Sequence, residues 1–365
     1  MSSTPIRVML CDDSATVRAA LGRVLEADPG IKVVARAGDG KQAVEALANL
    51  PPGARPQVVL LDLEMPVMDG MTALPLLLRQ EPRPVIIVAS ALTQTGAGAT
   101  MAALRAGAAD YIPKPGAAGG GLADSAFRAE LLAKVKGWAR VGSSRTAAKP
   151  PMTPRGAALA PGGSLQAIGI GCSTGGPQAL AALLRGLGRS LPVPIIAVQH
   201  MPAGFTAMLA DHLDRLGGPG CAEAQDGEAL RPGRFYLAPG ERHLLVEGGA
   251  NGQLIARLSD APPENYCRPA VDPMLRSLSA ACGSAVLAVI LTGMGQDGLL
   301  GCRAVAASGG MVLAQDEASS VVWGMPGAVA RAGLAQALLP PEGLAEQILT
   351  AVKARPRPAR QGVMA

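Results

Sequence analysis

Short apolar runs separated by helix-length amphipathic stretches recur along this chain and are interrupted once; no other feature constrains the fold as strongly. From Ile6 to Arg140 the runs are Arg7–Leu10, Lys32–Arg36, Val58–Leu61, Val85–Ala89 and Tyr111–Ile112. Helical stretches fall between them at Ala15–Glu26, Lys41–Leu50, Met71–Gln80 and Ala99–Ala106, and an amphipathic helix over Ala123–Arg140 closes the unit. A second alternation opens at Gln166, with strands predicted at Ala167–Gly171, Ile195–Val198, Arg234–Leu237, His243–Glu247, Leu254–Leu258, Val286–Leu291 and Met311–Ala314. Strands joined by crossover helices pair in parallel, so the expectation is α/β throughout, as doubly wound and mainly parallel sheets. The interruption, Val141 to Gly163, is rich in Ser, Thr, Ala, Pro and Gly and cannot bury apolar surface. The expected division is a first domain over residues 5–141, a linker over 142–164, a second domain over 165–354 and a flexible tail over 355–365. No repeat at fixed period appears and the two halves share no motif, so duplication is not indicated.

Composition narrows the class of function. With 365 residues the chain exceeds what one core serves, and at 49% hydrophobic but 2% aromatic its cores must be aliphatic. The formal charge of +5 is not gathered into a basic block with interleaved aromatics, so no nucleic-acid partner is expected. Apolar stretches such as Ser284–Gly295 are too short to cross a bilayer, and the polar start Met1-Ser2-Ser3-Thr4 lacks the regions of a signal peptide, which predicts a cytoplasmic protein with no membrane insertion. Cys11, Cys172, Cys221, Cys267, Cys282 and Cys302 form no C-x-x-C pair and accompany no histidines at ligand spacing, which reads as reduced thiols.

Ligands of a doubly wound sheet bind outside the carboxyl ends of its strands. In the first domain Asp12 and Asp13 follow the first strand, Asp62 ends the third, Ser90 follows the fourth and Lys114 the fifth. Three carboxylates at one edge make a hard oxygen site that a cation such as magnesium would relieve, and a nearby lysine suits a phosphoryl group. A single aspartate at such a place is more often a turn former; a lysine, a hydroxyl and three acids at the proper ends of four strands are not turn chemistry.

The second domain opens with strand Ala167–Gly171 and then Gly171-Cys172-Ser173-Thr174-Gly175-Gly176-Pro177 before a helical run from Gln178. This is G-x-S-x-G at a strand-to-helix turn, which pushes a serine outward beside helix N-terminal amides. A dinucleotide loop fails because Thr174 stands where a third glycine is needed, and a P-loop fails because no Gly-Lys-Ser or Gly-Lys-Thr occurs. An esterase needs a base and an acid that orients it. Of three histidines, His200 ends the strand Ile195–Gln199, His212 lies on a helix between acids, and His243 begins a strand; Asp297 follows the apolar strand Val286–Leu291. Ser173, His200 and Asp297 thus end three apolar strands, as a hydrolase requires, while the combination of Ser173 with Asp226 and His243 remains open. Cys172 occupies the x position of the elbow and reads as a packing residue.

The motifs Asp12-Asp13, Leu61-Asp62-Leu63-Glu64-Met65-Pro66-Val67-Met68-Asp69-Gly70, Ser90 and Lys114-Pro115 make the first domain resemble the receiver domain of two-component response regulators. The resemblance implies a flavodoxin-like fold, phosphate accepted on Asp62, and magnesium held by Asp12, Asp13, Asp62 and the backbone carbonyl of Glu64. It further implies a switch formed by Ser90 and Tyr111 with Lys114 nearby. The second half resembles the catalytic domain of the chemotaxis protein-glutamate methylesterases through Gly171–Gly176, Gln199-His200-Met201-Pro202-Ala203-Gly204-Phe205-Thr206, Cys267-Arg268-Pro269-Ala270-Val271-Asp272 and Asp316-Glu317-Ala318-Ser319-Ser320. Gln296 departs from the asparagine commoner there. That resemblance implies a Ser173–His200–Asp297 triad with no cofactor, methanol release from methylated chemoreceptor cytoplasmic domains, and deamidation of glutamine by the same chemistry. It implies a histidine kinase as phosphodonor and a receiver face that covers the serine until Asp62 is phosphorylated. The amides of Thr174 and Met294 are oxyanion-hole candidates, and Arg268 and Met294 candidates for the glutamyl pocket. The competing reading is a response regulator whose second domain is a non-catalytic binding module, against which stand the full triad and the lack of a basic reading helix.

Overall fold

The computed structural model describes residues 4–90, 93–114, 124–144, 165–189, 191–249 and 252–353. The chain divides into two compact units between Lys149 and Pro150. Most of the expected linker and the whole of the expected tail lie outside the described residues. No described helix is long and apolar enough to cross a membrane.

The first unit runs β1 (Ile6–Cys11), α1 (Ala15–Glu26), β2 (Ile31–Ala37), α2 (Gly40–Asn49), β3 (Val58–Asp62), α3 (Gly70–Leu78), β4 (Val85–Ser90), α4 (Gln94–Arg105), β5 (Asp110–Pro113) and α5 (Ser125–Ser144). The sheet order is β2-β1-β3-β4-β5 and every pairing is parallel. Helix starts follow local chemistry: the side chains of Ser14, Asp39, Asp69 and Thr93 each accept a first-turn amide of α1 to α4. The Thr93 cap starts α4 at Gln94, five residues before the expected Ala99, because the Gly-Ala repeat there carries no apolar stripe. α5 runs on to Ser144, three residues past the expected domain end.

In the second unit β6 (Ala167–Cys172), α6 (Gly176–Leu187), β7 (Ile195–Gln199), α7 (Phe205–Asp214), β8 (Gly220–Glu223) and β9 (Arg234–Leu237) precede β10 (His243–Gly248) and β11 (Leu254–Ser259). Then follow α8 (Val271–Cys282), β12 (Val286–Ile290), α9 (Leu299–Ala307), β13 (Met311–Gln315), α10 (Met325–Arg331), β14 (Ala337–Leu339) and α11 (Pro341–Lys353). The main sheet has order β14-β13-β12-β6-β7-β9-β8, all parallel, and β10 pairs with β11 as a separate antiparallel hairpin. Two strands were not anticipated, because Gly-Cys-Ala-Glu at β8 and Ala-Leu-Leu at β14 carry no β-branched residue. Both are short edge strands whose pairing is decided by neighbours.

Strand order reverses at β6: the chain leaves it toward β7 on one side and returns to its other side at β12. That is a topological switch point, where neighbouring crossovers diverge and a crevice opens at the carboxyl ends. α8 lies directly over β6 because Gly171 has no side chain; a Cβ there would meet Val271 Cγ1 at 2.5 Å. The close approach brings the amino end of α8 to the same rim.

Candidate active site

At the carboxyl rim of the first sheet, Asp12 and Asp62 are buried and Asp13 is exposed. One carboxylate oxygen from each lies within 4.8 Å of the others. Lys114 reaches across from β5, its Nζ 2.6 Å from Asp62 Oδ2 and 2.9 Å from Asp12 Oδ2. The second contact is an ion pair, and apart from it Asp12 Oδ2 is a buried oxygen with no hydrogen-bond partner among the described residues. Burial is the largest influence on Asp62 and lifts its carboxyl above the usual range despite the lysine. For Lys114 burial opposes the charge, but Asp62 and Asp12 together outweigh it and raise the ammonium. Three clustered carboxylates, one of which has a buried oxygen without a hydrogen-bond partner among the described residues, fit a small divalent cation. The Glu64 amide donates to Asp62 Oδ1 at 3.2 Å. Ser90 ends β4, with Oγ donating to Gly96 O at 2.9 Å in the first turn of α4. Tyr111 is buried, and Lys134 Nζ of α5 stands 4.7 Å from its ring centroid while pairing with Asp110 at 3.4 Å.

At the rim of the second sheet, β6 and β7 end side by side, with Cys172 opposite Gln199, so Ser173 and His200 are the next residues on adjacent strands. The His200 amide donates to Cys172 O at 3.1 Å. Buried Gln199 ties these ends together: its Nε2 donates to Ser173 O at 2.9 Å and His200 O at 3.2 Å, and its Oε1 accepts from Cys172 Sγ at 3.1 Å. Gly176 makes room for this amide, since a Cβ there would lie 1.9 Å from Gln199 Oε1. Cys172 is fully buried and its thiol is raised by desolvation, which fits the packing role expected of it.

Asp297 enters from the loop after β12. Its Oδ2 accepts from His200 Nε2 at 2.8 Å and from the Val271 amide at 2.6 Å. Its Oδ1 accepts from the amides of Asp272 at 3.0 Å and Gly298 at 2.9 Å and from Asn265 Nδ2 at 3.0 Å. Burial alone would raise this carboxyl, but the imidazole and the first amides of α8 hold it below the ordinary value. A carboxylate only accepts, so Nε2 carries the proton and Nδ1 is left as the acceptor of a neutral ring. Cys267 Sγ stands 3.5 Å from Nδ1. Burial disfavours the charged imidazole, yet the Asp297 and Cys267 contacts exceed it and push His200 up to about 9. Among the described residues the Ser173 hydroxyl has no hydrogen bond to the ring, a looseness common in sites without substrate.

Among the described residues neither the Thr174 nor the Met294 amide has a protein acceptor. The Met294 loop is fastened by Thr292, whose Oγ1 donates to Thr174 O at 2.9 Å and whose amide donates to Gln315 Oε1 at 2.8 Å. Arg268 adjoins Cys267; its Nη1 donates to the carbonyls of Asp260 at 3.0 Å and Ala261 at 3.2 Å, and its Nε is buried without a partner among the described residues. The combination of Ser173 with Asp226 and His243 is not assembled. His243 is buried with Nε2 on Pro262 O at 3.1 Å and Nδ1 accepting from Ala270 N at 3.1 Å, while exposed Asp226 receives the Leu258 amide at 2.9 Å. Gln199, Asn265 and Cys267 were assigned no role by sequence; two of them sit inside motif stretches, which was the only available signal.

A family model described as CheB methylesterase matches residues 168–348, and one described as response regulator receiver domain matches residues 8–121. The protein-glutamate methylesterase/protein-glutamine glutaminase of Azospirillum brasilense is 50% identical over 92% of this chain and 90% of its own. This chain belongs to the protein-glutamate methylesterase family. A methylesterase of the same description from Paramagnetospirillum magneticum is 48% identical over 94% of this chain and 95% of its own. Among solved structures, the Thermotoga maritima CheB methylesterase catalytic domain aligns with a TM-score of 0.50 at 41% identity, covering 51% of this chain and 98% of that one. The family's two parts correspond to the flavodoxin-like first sheet and the larger parallel sheet with its serine at the switch point.

Proposed function

We propose that this protein hydrolyses glutamate methyl esters on the cytoplasmic domains of chemoreceptors, releases methanol, and deamidates glutamine there by the same acyl chemistry. The observation that carries the reading is the 2.8 Å bond between His200 and Asp297 at the rim where the strand bearing Ser173 ends. Ser173 Oγ attacks the ester carbonyl as its proton passes to His200 Nδ1, and Asp297 holds Nε2–H and stabilises the imidazolium. The amides of Thr174 and Met294 stabilise the oxyanion of the tetrahedral intermediate. The intermediate collapses, the methoxy group leaves with the proton from His200 as methanol, and the glutamyl carbon stays on Ser173. Water attacks next, giving its proton to the same imidazole and freeing the glutamate carboxylate and the serine. With glutamine, ammonia leaves in place of methanol. Met294 and Arg268 line the entry to the glutamyl pocket.

Control comes from the first unit. Asp62 accepts a phosphoryl group from a histidine kinase, and Asp12, Asp13, Asp62 and the carbonyl of Glu64 would hold magnesium there, which when bound would supply positive charge to the phosphoryl oxygens. Lys114 contributes a further positive charge, and the Ser90 hydroxyl turns from Gly96 O to a phosphoryl oxygen as Tyr111 responds. The esterase itself uses no cofactor, and the protein works in the cytoplasm without entering the membrane. Ser173→Ala is expected to abolish methanol release from methylated receptor membranes while phosphate uptake at Asp62 continues. Methanol release by that variant at the wild-type rate would refute the serine assignment.

A further inference from the structure

Glu264 and Cys267 exchange backbone hydrogen bonds of 3.1 and 2.9 Å, closing a two-residue hairpin turn. Both central residues, Asn265 at φ 52° and Tyr266 at φ 63°, occupy the left-handed region. That is the geometry of a type I′ turn, where asparagine is at home and tyrosine is not, so the conformation is held against local preference by what the turn touches. It touches both ends of one pair. Cys267 Sγ lies 3.5 Å from His200 Nδ1, and Asn265 Nδ2 lies 3.0 Å from Asp297 Oδ1 and 3.0 Å from Asp272 Oδ2.

We infer that Asn265 is a positioning residue for ester hydrolysis: its single amide nitrogen joins the carboxylates of Asp297 and Asp272, and so fixes the face that Asp297 presents to His200. Two buried carboxylates side by side repel one another, and each proton of the amide serves one of them. Asp272 is otherwise anchored by the Gly301 amide at 2.7 Å. Asp297 has backbone donors from α8 and its own loop, so among the described residues Asn265 supplies its only side-chain donor apart from the imidazole itself. Asn265 does not touch the reacting atoms and acts through Asp297. The inference rests on the triad proposed above.

Because the backbone is left-handed, Asn265→Gly removes the amide without straining the turn, whereas alanine would do both. Asn265→Asp keeps the backbone preference but sets a third carboxylate against the pair. Among the described residues the charged and titratable groups facing the pair are Asp297 and Cys267 on the imidazole, Asp272 beside Asp297, Arg276, which neighbours both carboxylates and pairs with Glu264, and the buried Cys302 of α9, whose thiol is raised by burial and by both carboxylates. With the amide gone, more negative charge rests on Asp297, so the acidic limb of the kcat/KM profile, set by the imidazole, moves to higher pH. The full-length protein would be assayed for methanol release with and without a phosphodonor, folding being followed by circular dichroism and by phosphate uptake at Asp62. Asn265→Gly is expected to lose roughly tenfold or more in kcat with KM little changed, as for one charge-assisted bond, and Asn265→Asp to lose more. Wild-type kcat and an unmoved limb in Asn265→Gly would overturn the inference. Ser173→Ala run alongside separates the cases: if it is inactive while Asn265→Gly is normal, only the role of Asn265 falls, whereas an active Ser173→Ala removes the triad as well.

Discussion

At the scale of single residues the site is an exercise in holding charge where water is scarce. Asp297 is 2% exposed and keeps its charge because five donors among the described residues surround it, two of them the first amides of α8. The consequence falls on His200. An imidazole pushed up to about 9 is largely protonated near neutrality, and a base must be neutral to take the serine proton. The rate kcat/KM is therefore expected to climb with pH along a limb displaced above 6.5 toward about 9. Asp297→Asn removes the anion behind the ring, so its limb moves down in pH while turnover drops by roughly 10⁴, as when a triad loses its orienting carboxylate. Linkage gives an independent check. A raised folded-state value adds stability that is complete below the unfolded value of 6.5 and is lost as pH rises through about 9. Thermal midpoints of the second unit should decline across that window in the wild type and less so in Asp297→Asn.

At the scale of elements, the register of β6 against β7 brings serine and histidine together, and one buried amide locks it. Gln199 bridges the carbonyls of Ser173 and His200, and its amide orientation is fixed because the reverse would set its oxygen against both. Gln199→Met preserves volume but removes the side-chain donor from both carbonyls: Ser173 O keeps the Gly176 amide at 2.8 Å, while His200 O is left without a donor among the described residues, at about 1–3 kcal/mol. The expected outcome is a lower unfolding midpoint together with slower labelling of Ser173 by a sulfonyl fluoride in the protein that remains folded. Labelling at the wild-type rate would mean that the strand ends are aligned without the amide. This scale also shows what was legible. Long apolar strands such as Val286–Ile290 and capped helices such as α1 were readable because their signals are local. β8, β14 and the separation of the β10–β11 hairpin from the main sheet were not, because edge pairing depends on residues distant in sequence.

At the scale of the whole molecule, two sheets of the same class carry complementary chemistry at their carboxyl rims: acids and a lysine on one, a serine, an imidazole and a carboxylate on the other. If phosphate on the first governs hydrolysis on the second, it must favour the active arrangement energetically. Adding a small-molecule phosphodonor and magnesium should raise methanol release by the wild type and leave Asp62→Asn at its basal rate. Stimulation of Asp62→Asn equal to wild type would place control elsewhere.

The amino-acid order by itself determined the two α/β units, the strand ends that carry Asp12, Asp62, Lys114, Ser173, His200 and Asp297, and the family to which they point. Those are properties of local period and short motifs, which survive without knowledge of neighbours. Only the tertiary structure decided that His200 offers Nε2 to Asp297, that His243 is consumed by backbone, and that Asn265, Gln199 and Cys267 converge on the pair. Those contacts span dozens of residues of sequence and exist because strand order brings β12, β6 and β7 to one crevice, a juxtaposition that no local pattern encodes.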